Sequence, residues 1–221
     1  TGYALDFLVD SEKPFNLCNL LAGSEGTIGI MTEAKLNLMP LPPKEIGLLC
    51  VHFADMIACM EGNIVALAHR PEASELVDKY ILDFTVGHPT YQHNRFFIEG
   101  DPQALLIIEF RAEGEAELHQ KAAALREDLM ARGLGYAYPF VVGTVQTNLV
   151  WDVRKAGLGL IRNLPGDEQP VNLIEDCAVS PEDLPAYVKD IQTLLQEEEV
   201  HASYYAHAGA GELHIEPFIN L

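Results

Sequence analysis

The chain has 221 residues, 48% hydrophobic and 21% charged, the balance of a folded globular protein rather than a disordered one. With 14 Lys and Arg against 33 Asp and Glu, its net charge of −19 excludes nucleic-acid and anionic-membrane partners, which need clustered cations, but not a small anion met by a few local ones. No apolar run approaches the roughly 20 residues of a membrane helix, which excludes direct membrane insertion.

Residues 28–32 and 34–39 read as strands, the second because Leu36 and Leu38 alternate with Lys35 and Asn37. Pro40, Pro42 and Pro43 stop regular structure, so a boundary is expected there, dividing residues 1–43 from 44–221. Residues 46–53 read as a buried strand. Residues 54–68 read as a helix with Met56, Ile57, Met60, Ile64 and Leu67 near helical spacing. Pro71 opens an expected second helix to about residue 84, because proline suits a first turn. Gly87, Pro89, Gly100 and Pro102 mark a loop. A strand at 104–110, a helix at 114–132 ended by Gly133 and a strand at 136–142 follow. This order predicts an α+β fold, a mainly antiparallel sheet with helices on one face. Beyond it come a helix at 144–161 broken near Gly157 and Gly159, and a strand at 171–179. A helix at 181–199 is expected to be capped by Ser180 with Asp183. Strands at 202–206 and 213–218 flank a Gly-rich turn.

Four segments carry chemistry. Gly23, Gly26 and Gly29 let a backbone pass close to a flat or phosphorylated ligand, and successive N–H groups there can form an anion nest. The same glycines also suit a hairpin turning a corner. His207 and His214 are too far apart for one helix face but converge if Gly209–Gly211 folds two strands together. Two imidazoles then need one or two more donors to hold Zn²⁺ or a similar cation; two surface histidines on a hairpin read the same way. Arg154, in Trp151-Asp152-Val153-Arg154-Lys155, can grip a carboxylate through two parallel hydrogen bonds, or form a solvated pair with Lys155 beside a packed Trp. Glu175 and Asp176 are adjacent carboxylates able to share a proton or bind metal. Cys18, Cys50, Cys59 and Cys177 form no CxxC pair, and most sit among apolar neighbours. They read as buried free thiols of a reducing compartment. Together with the acidic charge and the absence of a signal peptide, this points to the cytoplasm.

The stretch GSEGTIGIMTEAKLNLMPLP, residues 23–42, closely resembles the GSEGTLGIITEATLKLLP segment of the FAD-linked oxidases of the vanillyl-alcohol oxidase type. That family includes D-lactate, glycolate and D-2-hydroxyglutarate dehydrogenases. Thr1-Gly2-Tyr3 resembles the family's lead-in to this segment. The longer connection from Phe7 to Leu20 is similar to that of large multidomain members, which implies an iron–sulfur module elsewhere in a parent chain. Residues 204–215 resemble the family motif GHAGDGNLH, with His207 and His214 in register but Ala210 and Glu212 in place of its Asp and Asn. Trp151 and Arg154 match a W-x-x-R-E signature, with Lys155 replacing the acidic residue.

The resemblance implies a fold and roles. Residues 1–43 would be the end of a FAD-binding domain, and 44–221 a substrate-binding domain of ferredoxin-like type. Gly23, Ser24, Glu25, Gly26, Thr27, Gly29 and Ile30 would frame FAD. Arg154 would anchor the carboxylate of a 2-hydroxy acid. His207 and His214 would bind a divalent cation, and Glu212 would either join them or repel a carboxylate. The implied reaction is oxidation of a small 2-hydroxy acid by hydride transfer to FAD; no motif identifies an electron acceptor. Both ends read as the interior of a longer chain. The main FAD subdomains would lie before residue 1 and a third metal ligand after Leu221, so this chain alone is expected to be inactive, to bind no FAD and to hold metal at His207 and His214 weakly, in part or not at all. The substitutions at Ala210 and Glu212 also suit a ligand-binding or interaction domain that has lost redox chemistry.

Overall fold

The computed structural model describes residues 3–9, 12 and 14–220. Thr1 and Gly2 of the family-like lead-in lie outside the described residues. The chain divides into two compact units, Thr1–Leu41 and Pro42–Leu221.

The first unit contains two short helices, α1 (Leu5–Val9) and α2 (Cys18–Leu21). The strands expected at 28–32 and 34–39 do not form; those residues are irregular. Alternation alone does not make a strand, because the backbone N–H and C=O groups need a neighbour to take them. The first unit offers none among its described residues.

The second unit is α+β. In chain order it runs β1 (Glu45–Phe53), α3 (Met56–Ala68), β2 (Ala73–Asp78), α4 (Lys79–Phe84), β3 (Ala104–Ala112), α5 (Glu115–Ala131), β4 (Phe140–Val142) and α6 (Thr144–Ile161). Then come β5 (Glu168–Pro170), β6 (Ile174–Ala178), α7 (Leu184–Glu197), β7 (Ala202–His207) and β8 (Glu212–Asn220). The strands lie in the order β4-β1-β3-β2-β7-β8-β5, with β6 also paired to β8. Every pairing is antiparallel.

Helices cover both faces of this sheet, not one. Strand side chains alternate in direction. Leu49, Val51 and Phe53 of β1, with Leu106, Ile108 and Phe110 of β3, pack under α3 and α5. Their neighbours Leu48, Cys50, Leu105 and Ile107 pack on the other side with Ile81 of α4 and Val150 and Val153 of α6. An unbroken apolar run such as Leu48-Leu49-Cys50-Val51 calls for cover on both sides. No helix among the described residues is long and apolar enough to cross a membrane.

Four further expectations are corrected. The helix expected from Pro71 is instead strand β2 followed by α4, because residues 73–78 sit between β3 and β7 and satisfy both ladders. Asp78 ends the strand by capping α4: its Oδ1 accepts from Ile81 N at 3.1 Å. Helix α6 is not broken at Gly157; a Cβ there would press on Ile81 at 2.9 Å, so the glycine lets α6 approach α4. Ser180 makes no cap hydrogen bond, and its hydroxyl goes to Glu182 instead. All four cysteines are free thiols, but only Cys50 and Cys59 are buried; Cys18 is exposed and Cys177 half-buried.

Candidate functional site

The same alternation that builds the core places a polar patch on one sheet face. Val77 pairs with Tyr205, and both pack in the layer that holds α6. By parity Glu75 of β2, Tyr205 and His207 of β7, and Glu212, His214 and Glu216 of β8 share that face. The register sets His207 opposite Glu212 and His214 opposite Tyr205.

The turn between β7 and β8 makes this register possible. It is one 3-10 turn, Ala208–Ala210, followed by Gly211 in the left-handed conformation at φ 76°. The buried amide of Asn63 on α3 donates to Ala208 O at 2.8 Å and accepts from the Ser74 hydroxyl at 2.7 Å, tying the turn to α3 and β2. The two histidines therefore converge, with ring centroids 5.4 Å apart at 80°. His207, His214 and Glu212 each bring a ligand atom within 4.8 Å of the others.

Each imidazole spends Nδ1 on a carboxylate. His207 Nδ1 lies 3.0 Å from both oxygens of Glu75. His214 Nδ1 lies 2.6 Å from Glu175 Oε2 and 3.3 Å from Asp176 Oδ1. The register of β6 against β8 shifts between Ile174 and Cys177, and Asp176 takes φ 54°, so both acids reach His214. Tyr205 stacks on the His214 ring at 4.6 Å.

Arg154 enters this patch from α6. Its side chain is 12% exposed, its Cζ stands 5.3 Å from the Tyr205 ring centre, and Nη2 lies 2.9 Å from Glu75 Oε2. That ion pair lacks hydrogen-bond direction: Nε and Nη2 are buried and make no hydrogen bond. Buried guanidinium donors not met by well-directed acceptors are costly, and such donors suit an anion.

Below the histidines, Glu216 is fully buried, with Oε1 3.2 Å from the Tyr205 hydroxyl and Oε2 without a partner. Burial, and the Glu175 carboxylate beside it, push its carboxyl up to about 7. Burial works against ionised Glu175 as well, but the neighbouring Glu216 carboxyl and the His214 imidazole outweigh it and hold Glu175 below the usual carboxylate range. The fold thus favours neutral Glu216. Its stabilising contribution is full below the ordinary value of 4.5 and is lost as pH rises through about 7. Between about pH 5 and about pH 8, the wild type is expected to lose roughly 2 kcal/mol of stability relative to Glu216→Gln, read from urea unfolding of both.

The residues proposed for FAD lie in the first unit. Ser24 is buried, Gly23 and Gly26 have φ of 83° and 77°, and a Cβ at Gly23, Gly26 or Gly29 would meet open space. Thr27 Oγ1 donates to Ser24 O at 2.6 Å, which closes the turn around Glu25. Residues 21–26 and 29–33, including Ile30, line a concavity of about 520 Å³. This open, glycine-edged hollow fits part of a flat or phosphorylated group.

The sequence signals located Arg154, His207 and His214, which the structure brings together. Glu75, Tyr205, Glu216 and Asn63 were missed. Tyr205 and Glu216 stand two residues from His207 and His214, so strand parity alone puts them on the same face. Glu75 was hidden by the helix expected over its segment.

The profile of the family "FAD linked oxidases, C-terminal domain" matches residues 42–221. The chain is 30% identical over 229 aligned positions to a D-2-hydroxyglutarate dehydrogenase of Pseudomonas putida, with all of this chain and 22% of that protein covered. It is 26% identical to the glycolate oxidase subunit GlcD of Bacillus subtilis, over 90% of this chain and 40% of the relative. The chain thus spans well under half the length of these relatives. Among solved structures, an alkyldihydroxyacetonephosphate synthase superposes with a TM-score of 0.56 at 19% identity, over 89% of this chain and 40% of that one; the likeness is one of fold.

Proposed function

The chain belongs to the family of FAD linked oxidases, by their C-terminal domain, and from that membership we propose that it supplies the substrate-binding side of a flavin-dependent dehydrogenase acting on a 2-hydroxy acid of the D-lactate or D-2-hydroxyglutarate kind. The observation that carries this reading is the pair of buried Arg154 nitrogens that make no hydrogen bond, Nη2 meeting Glu75 only in an ill-directed ion pair, beside a His207–His214–Glu212 cluster. One element suits a carboxylate and the other a cation, and a 2-hydroxy acid presents a carboxylate next to a hydroxyl able to ligate metal.

In this reading Arg154 grips the substrate carboxylate through Nε and Nη2. His207 and His214 would hold a divalent cation such as Zn²⁺, with Glu212 as a third donor. Hydrogen bonds from Nδ1 to Glu75 and Glu175 fix the ring orientation and keep each Nε2 for the cation. A cation held by these residues would supply polarisation of the substrate hydroxyl. Gly23, Ser24, Glu25, Gly26, Thr27, Gly29 and Ile30 would frame part of FAD, completed by a FAD-binding domain from a longer parent chain. FAD, when bound, accepts the hydride. The free thiols favour a reducing compartment, and the reading takes the enzyme as cytoplasmic.

The test is calorimetric titration of a protein that carries this chain together with its FAD-binding domain, using D-lactate and D-2-hydroxyglutarate with and without Zn²⁺. Binding of one acid that strengthens with the cation and disappears in His207→Ala supports the reading. An interaction domain that has lost redox chemistry would bind neither acid under either condition.

A further inference from the structure

We propose that Glu75 couples the two halves of this site and selects acids that chelate the cation over simple carboxylates. The proposal rests on the reading of Arg154 as anion anchor and His207 as cation ligand.

One carboxylate serves two partners. Both Glu75 oxygens stand 3.0 Å from His207 Nδ1, and Oε2 also stands 2.9 Å from Arg154 Nη2. Glu75 is 16% exposed, its backbone is paired to Ile107 of β3, and its carboxylate sits between the two partners it meets. Toward His207 it acts as a fixed acceptor. It holds the proton on Nδ1, sets the ring plane and makes Nε2 a better donor to a cation. Toward Arg154 it acts differently. The contact is an ion pair without hydrogen-bond direction, so Glu75 offsets the guanidinium charge while Nε and Nη2 keep their donor capacity.

An incoming carboxylate then finds oriented donors but meets the Glu75 charge close by. A simple carboxylate gains only the Arg154 hydrogen bonds against that repulsion. A 2-hydroxy acid gains the bound cation as well, through its hydroxyl. Removing the Glu75 charge should therefore move two affinities in opposite directions: the cation loses an orienting acceptor, and the bare carboxylate loses an opponent.

The experiment titrates a protein that carries this chain together with its FAD-binding domain, and its Glu75→Gln variant, with Zn²⁺ alone, with propionate alone, and with D-lactate in the presence of Zn²⁺. The variant is expected to bind Zn²⁺ about 10- to 100-fold more weakly and propionate roughly tenfold more tightly, so that preference for D-lactate over propionate collapses. Affinities for Zn²⁺ and propionate that fall together, or that both stay unchanged, overturn the proposal. Glu75→Asp serves as the second variant if the first fails to fold: it keeps the charge but shortens the reach to His207. It should weaken Zn²⁺ while leaving propionate near the wild-type value, and a propionate gain equal to that expected for Gln counts against the proposal. Wild-type protein, carrying this chain with its FAD-binding domain, that binds neither Zn²⁺ nor D-lactate overturns the functional reading and this proposal with it. Wild-type protein that binds both, with no opposed change in the variants, overturns this proposal alone.

Discussion

Replacing Gly211 with alanine is expected to cost roughly 3–5 kcal/mol of stability and to abolish cation binding at His207 and His214. Two costs add. The residue sits at φ 76°, where a side chain carries a penalty of about 1–3 kcal/mol. A Cβ there would also overlap the carbonyl oxygen of Val179, and that oxygen is held in place because Val179 N in turn bonds Gly211 O at 3.0 Å. Neither partner can yield without parting the β7–β8 turn from the residues after β6. Gly133 provides the control. Its φ is 70°, but a Cβ would meet nothing within 4 Å, so Gly133→Ala should lose only the conformational part, about 1–3 kcal/mol. Urea unfolding of the two variants separates strain from overlap. Zn²⁺ titration of whatever folded fraction Gly211→Ala retains reports the loss of the histidine geometry.

Arg154→Ala is expected to weaken hydroxy-acid binding at least 100-fold, equivalent to about 3 kcal/mol for two lost charge-assisted hydrogen bonds. Arg154→Lys should recover only part of this, because an ammonium keeps the charge but not the planar fork. The Ala variant also leaves Glu75, 16% exposed, facing His207 alone. Truncating one member of a partly buried pair is destabilising, so a modest fall in unfolding free energy should accompany the binding loss. Zn²⁺ affinity should change far less than acid affinity, because Arg154 stands on α6 and none of the three clustered ligand atoms does. Calorimetry with Zn²⁺ and then D-2-hydroxyglutarate distinguishes this from general disruption, in which both would fall.

Much of the second unit was legible because its signals are local. The apolar runs at 46–53 and 104–110 formed strands, and the seven-residue spacing of His207 and His214 across glycines became two facing strand positions. What failed depended on partners distant in sequence. Residues 73–78, Ala-Ser-Glu-Leu-Val-Asp, show no clean alternation and stand shortly after a proline, so local preference alone does not choose between helix and strand; β3 and β7 on either side decide it. Glu75 was lost with that choice, and with it the link between His207 and Arg154. The alternation at 34–39 erred in the opposite sense, since the pattern was present but no partner strand was, among the described residues of that unit. Gly157 was read as a breaker, whereas its small size serves the packing of α6 on α4. Glu175 and Asp176 were legible as a pair, but their convergence on His214 depends on the irregular β6–β8 register, which no spacing rule foretells.

The most direct measurement of the central claim uses a protein that carries this chain together with its flavin. Anaerobic mixing with D- and L-lactate and D- and L-2-hydroxyglutarate, with and without a chelator, follows the bound flavin absorbance. The account predicts rapid bleaching by one D-2-hydroxy acid, lost on chelation and in His207→Ala. Bound FAD that no 2-hydroxy acid reduces would contradict it.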